Sequence, residues 1–173
     1  PKARTFKRWE LMTPLPPPQA ASYASDPRIA KAQAAMEPLR DTALAGLHWV
    51  NADEPDECPW GCIDGSGILG VGVSAAMPQW EIWLRTRDAH QTLREYRQLI
   101  QLLLWKNPVP DGGFLLLKSP MSTQGSQLAA YRDTFADIRF VLTHRDPFRV
   151  AVSSANVADT IGQPFRADRD ADY

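Results

Sequence analysis

Two short apolar runs mark the second half of the chain, and each ends in a polar cluster. Phe114-Leu115-Leu116-Leu117 gives way to Lys118-Ser119-Pro120, and Arg139-Phe140-Val141-Leu142 gives way to Thr143-His144-Arg145-Asp146-Pro147. Short apolar runs bounded by turn residues predict strands. Between them, Ser122 to Phe135 predicts a helix with Leu128 and Tyr131 facing inward, and Pro147 opens another that fades near Asp159. The order strand, turn, helix, strand, turn, helix predicts two parallel strands joined by a right-handed crossover. Both polar clusters then fall at the C-terminal ends of strands, where open α/β sheets bind their ligands.

The first half is less regular. Asp26-Pro27 combines an N-cap with proline at the first helical position, predicting a helix from Pro27 to Glu37 that stops before Pro38 and resumes through Leu44. Pro14, Pro16, Pro17 and Pro18 exclude a helix across their run, so residues 14–25 read as an extended Pro-rich connector within the domain. Residues 46–64 predict irregular structure, and Pro78 to Arg87 a short helix with Trp80, Trp83 and Leu84 on one side. Thr92-Leu93-Arg94-Glu95 reads as a capping box heading a helix to about Trp105. Its Leu93, Leu99, Ile100, Leu102, Leu103 and Leu104 leave few polar sides, which predicts deep packing. Asp111-Gly112-Gly113 predicts the turn into the first strand, and the tail from Arg166 to Tyr173 is expected to fray.

Composition narrows the class. A chain of 173 residues fits one domain able to bury a core. Its net charge of −1 gives no reason to expect nucleic acid or an anionic membrane as partner. The longest apolar block, Leu99 to Trp105, is broken by Gln101 and far shorter than the roughly 18 residues of a membrane span. Cys58 and Cys62 have three residues between them, which is neither a redox motif nor, without a second pair, a zinc site. Two thiols and no signal peptide predict a reducing, cytoplasmic setting. His48, His90 and His144 form no metal-ligand spacing with neighbouring acids, so no metal is expected.

Arg145 carries the clearest chemistry. It follows an apolar run and precedes a helix, so its rigid fork of donors and the helix N-terminus face the same place, an arrangement suited to phosphate. Ser153 follows two turns into that helix. The competing role for Arg145 is an ion pair with Asp146. Lys118 offers a point charge at the other strand end. Gly65-Ser66-Gly67-Ile68-Leu69-Gly70 satisfies a dinucleotide-binding string, but Pro59 before it and Pro78 after it deny the strand and long helix that string requires.

Residues 114–153 carry a family resemblance. Arg145 with Ser153 eight residues later, and Leu117-Lys118-Ser119-Pro120 upstream, resemble the nucleotide-binding half of sulfotransferases that use 3'-phosphoadenosine-5'-phosphosulfate (PAPS). The wider likeness runs from Arg8 to Asp159. It implies a three-layer α/β/α domain with a parallel sheet and a P-loop NTPase-like architecture, spanning residues 1–173 and cut short at both ends. It further implies that the family's 5'-phosphosulfate loop lies upstream of Pro1. The implied activity moves a sulfuryl group from PAPS to a hydroxyl or amine of a small molecule or glycan, leaving 3'-phosphoadenosine-5'-phosphate (PAP).

The same resemblance assigns roles. Arg145 and Ser153 hold the 3'-phosphate, Lys118 and Ser119 stand near the donor, and Glu10 of the Trp9-Glu10 pair takes the acceptor's proton. Pro55-Asp56-Glu57-Cys58 is similar to a short signature of the subfamily, with Asp56 and Glu57 lining the acceptor pocket or capping the next segment. Ser122 stands where relatives carry a histidine. Two other classes remain open: a P-loop-type kinase or NTPase relative, and a non-catalytic binding domain built on the same fold.

Overall fold

A parallel ladder forms near the N-terminus, between one strand that the pattern predicts and one that it does not. The computed structural model describes residues 2–47, 51–57, 79, 82–83, 86–119 and 127–162. Strand β1 (Ala3–Arg4) pairs with β2 (Phe114–Leu115), Ala3 opposite Phe114 and Arg4 opposite Leu115. The ladder reaches further in hydrogen bonds, Phe114 N–H donating to Lys2 at 3.2 Å and Leu116 N–H to Arg4 at 2.8 Å. Six α-helices that lie wholly within the described residues accompany it: α1 (Arg8–Met12), α2 (Pro27–Met36), α3 (Ala43–Leu47), α4 (His90–Leu104), α5 (Gln127–Thr134) and α6 (Pro147–Gly162). A 3₁₀ turn covers Ala20–Ser25.

Of the two apolar runs expected as parallel strands, only the first is a strand among the described residues. Arg139-Phe140-Val141-Leu142 joins no ladder among the described residues, and Val141 is 88% exposed. A strand holds its shape through a neighbour's hydrogen bonds. Among the described residues β2 pairs with β1, and none pairs with the β-rich sequence at 139–142.

The turn into β2 is as predicted and sterically tight. Gly112 has φ 68°, and Gly113 N–H donates to Pro110 at 2.8 Å. A Cβ on Gly113 would lie 2.4 Å from the Lys2 carbonyl oxygen and 2.8 Å from that of Pro110. Both are backbone atoms, so the glycine is what lets β1 approach β2.

Three clusters of buried side chains hold the helices. On α4, Tyr96, Leu99, Ile100 and Leu103 recur at helical spacing and pack on Phe6 and Leu11, with Leu115 and Leu117 beside them. Trp9 packs with Ala32, Met36 and Ala52, joining α1 to α2. Ala89 and Leu93 meet Ala130 and Tyr131, joining α4 to α5. Leu103 is fully buried, and cutting it to Ala costs about 2–5 kcal/mol.

Capping follows the sequence at α2 and departs from it at α4. Asp26 accepts from Arg28 N–H at 3.0 Å, with Pro27 at the first helical position. Arg28 pairs back with Asp26 at 2.7 Å and donates to the carbonyls of Thr13 at 2.7 Å and Pro16 at 2.6 Å. The Pro-rich run is thereby fastened to α2, and Pro18 is among the fully buried side chains. At α4 the helix begins two residues before Thr92, because Asp88 accepts from His90 N–H at 2.9 Å and takes the capping task. Thr92 is then buried inside the first turn. Helix α2 ends at Met36, and α6 runs three residues beyond Asp159.

Two predictions follow from this scaffold. Gly113→Ala should lower the free energy of unfolding by about 2 kcal/mol or more, measured by urea denaturation, because backbone rather than a side chain must move. His90 bridges Asp88 at 2.5 Å and Asp133 at 3.4 Å, linking α4 to α5. Its hydrogen bond with Asp88, then that with Asp133, raise the imidazolium above the ordinary 6.5. The stabilisation is fully present below that ordinary value and is lost as pH climbs through the raised one. The urea midpoint should therefore decline slightly across neutral pH in the wild type and stay flatter in His90→Ala.

Candidate anion-binding and transfer site

The residues before α6 place a cation at its N-terminus. Asp146 accepts from Arg149 N–H at 3.0 Å and so serves its own helix rather than Arg145. Among the described residues Arg145 has no carboxylate partner. An open cleft of about 270 Å³ is lined by Thr143, Arg145, Val150, Ser153 and Ser154. The two residues expected at one phosphate, Arg145 and Ser153, therefore do share a cleft. Thr143 and Ser154 were not anticipated. A period of two along an extended segment puts Thr143 on the Arg145 side, and Ser154 adjoins Ser153, so both signals were present. One guanidinium, three hydroxyls and no carboxylate suit a phosphate monoester beside the N-terminus of a 16-residue helix.

A second set of groups gathers past the C-terminal ends of β1 and β2. Residues 52–56 run against 6–9, with Asp56 N–H donating to Phe6, Arg8 N–H to Glu54 and Trp9 N–H to Ala52 at 3.0, 3.2 and 3.1 Å. Lys7 and Pro55 form an antiparallel bridge. Arg8 and Asp56 make an ion pair with side chains only 7% and 4% exposed. Asp56 also accepts from Glu57 N–H at 2.6 Å, and Glu57 reaches the Lys118 ammonium at 2.7 Å. Asp56 is thus a buried structural partner, while Glu57 and Lys118 meet near solvent. Ser119 follows, half-buried.

Glu10 occupies a different setting. Its side chain is 0% exposed, with Arg4 Nη2 donating to Oε1 at 2.5 Å. Oε2 accepts from Tyr23 Oη at 2.6 Å, Lys7 N–H at 2.8 Å and Arg4 Nη1 at 3.2 Å. Burial, followed by the hydrogen bond and charge of Glu10, pushes the Tyr23 phenol far above its ordinary range, so it remains a donor. The Arg4 guanidinium lies over Phe6 and Tyr23, each at 5.1 Å. Both oxygens of Glu10 are engaged by groups that fix β1, α1 and the 20–25 turn.

Cys58, Cys62, the Gly65–Gly70 string, Trp60, Trp80 and Ser122 lie outside the described residues. Among the described residues, no three His, Cys, Asp or Glu side chains are placed to hold a metal ion.

These features give an α/β fold with an Arg145-lined cleft at a helix N-terminus and a charged pair beyond its strand ends. No protein-family profile and no curated protein matches the chain. Among solved structures it is similar to sulfotransferase STF9 from Mycobacterium avium, with a TM-score of 0.76 at 22% identity. The match covers 94% of this chain and 41% of that protein, so the chain has the fold of about two fifths of a sulfotransferase.

The Glu10 hub yields a prediction. Glu10→Gln leaves the buried Arg4 guanidinium without its counter-charge, and should cost about 3–5 kcal/mol in urea denaturation. Tyr23→Phe, which removes one neutral donor, should cost about 1 kcal/mol.

Proposed function

We propose that this chain is the nucleotide-anchoring part of a PAPS-dependent sulfotransferase. The observation that carries the reading is the convergence of Arg145 and Ser153 on one cleft at the start of α6, on a fold shared with a solved sulfotransferase. Arg145 and Ser153 hold the 3'-phosphate, and Thr143 and Ser154 add hydroxyl donors. Lys118 and Ser119 stand toward the transferring group. When bound, PAPS supplies an activated sulfuryl group. The protein's share is to hold and orient it and to neutralise charge with Arg and Lys, without a metal.

The acceptor in this reading is a hydroxyl or amine of a small molecule or glycan. The proposal includes a three-layer domain whose sheet continues past the β1–β2 ladder, and a cytoplasmic setting. No helix among the described residues is long and apolar enough to cross a membrane. Glu10, expected as the base, would have to release Arg4 or Tyr23 before meeting an acceptor. The proposal therefore gives it the task of fixing the end of β1 against α1.

The test is a thermal-shift titration with PAP and with AMP, which lacks the 3'-phosphate. PAP should stabilise the protein more than AMP does. Arg145→Ala should weaken PAP about 10–100-fold, the loss of one or two charge-assisted hydrogen bonds. Ser153→Ala should weaken PAP less, and both variants should bind AMP as the wild type does. Equal affinity for PAP and AMP would sink the 3'-phosphate assignment.

A further inference from the structure

Asp56 and Glu57 are adjacent carboxylates at the end of the 52–57 segment, and the fold treats them oppositely. Asp56 is consumed by Arg8 in a buried pair and by the Glu57 N–H. Glu57 keeps 20% of its side chain exposed and, among the described residues, spends only Oε1, on Lys118. Its other oxygen has no hydrogen-bond partner among the described residues. Its backbone is well held: the Lys7–Pro55 bridge, the Asp56–Phe6 hydrogen bond and the Asp56 carboxylate each fix the segment within two residues of it. Lys118 is the third residue after β2, on a side chain 71% exposed. A carboxylate on a well-held backbone, with one oxygen unpaired among the described residues, therefore sits beside an exposed cation past the C-terminal ends of two parallel strands.

We propose that Glu57 takes the proton from the acceptor in sulfuryl transfer, with Lys118 as its charge partner. The inference rests on the sulfotransferase reading and deepens it by naming the base. The acceptor oxygen forms a bond to sulfur, and the bond from sulfur to the bridging oxygen of the donor breaks. That electron pair leaves with the nucleotide's 5'-phosphate, and the acceptor's proton passes to the free oxygen of Glu57. Lys118 has two jobs that exclude each other in time. It offsets Glu57 before the donor is present, and turns its ammonium toward the sulfuryl oxygens once they arrive. Glu10 cannot share the first role, since its oxygens already accept from four donor atoms.

The experiment compares Glu57→Gln, Glu57→Asp and Glu10→Gln in the full-length gene product. Two quantities are read: PAP release from PAPS with water and with 2-naphthol as acceptors, and PAP affinity by thermal shift. Glu57→Gln should lower turnover about 100-fold or more, the usual yield of a positioned base. It should bind PAP as tightly as the wild type or more so. Glu57→Asp should recover part of the turnover, and Glu10→Gln should lose stability rather than this step alone. Wild-type turnover in Glu57→Gln overturns the proposal, as does a PAP affinity that falls in step with turnover. A wild type that binds PAP yet turns over neither acceptor removes the base role and leaves the nucleotide site standing. A wild type that neither binds PAP nor releases it sinks the sulfotransferase reading, and this inference with it.

Discussion

A carboxylate with no solvent contact constrains everything around it. Taken out of water, it must recover from protein donors the hydrogen bonds it has lost, or it cannot stay charged. Glu10 recovers them from the Arg4 fork, the Tyr23 hydroxyl and the Lys7 N–H, which belong to three pieces of chain. The strand β1, the helix α1 and the 20–25 turn are thereby fixed to one point. Two residues before Glu10, Arg8 repeats the device on the other side of α1 by pairing with Asp56. Because Asp56 adjoins Glu57, that second pair determines where the Glu57–Lys118 contact forms. The polar geometry at the strand ends is inherited from buried charge in α1.

Legibility in the sequence followed the range of the interactions. Asp26-Pro27, the Asp111-Gly112-Gly113 turn, the apolar face of α4 and the start of α6 at Pro147 are local arrangements, and they fold as read. The Arg145–Ser153 spacing is also local, one strand end and two turns of helix, so its shared cleft was visible in the chain. Strand β1 was not, because Lys2-Ala3-Arg4 shows neither alternation nor an apolar run. Its reason for being a strand is Phe114, more than a hundred residues away. The run at 139–142 shows the converse, strong local preference for a strand with no ladder among the described residues.

Glu10 illustrates a subtler limit. The Trp9-Glu10 pair and the following prolines were readable, but one of the donors that occupies its carboxylate is Tyr23, thirteen residues on. Nothing local says that the Pro-rich connector folds back to put a phenol there. Arg28 brings it about, holding the carbonyls of Thr13 and Pro16 while its guanidinium lies over Trp9 at 4.8 Å. A residue's type and spacing nominate a role, and burial then decides whether the role is accessible.

The cations sort themselves by the same criterion. Arg4, Arg8 and Arg28 each face a carboxylate inside the fold, where removing either partner leaves a stranded charge. Such arginines are committed to structure. Arg145 has surrendered its neighbour Asp146 to helix capping and stands at an open cleft, with its fork available to an external anion. Lys118 lies between these cases. Its pair with Glu57 is short, but at 71% exposure it is the kind of solvated contact worth less than about 1 kcal/mol. An anion arriving beside it can take the ammonium at little cost and leave the carboxylate free. A pair that weak contributes almost nothing to holding the fold, and its two charges can separate at little cost.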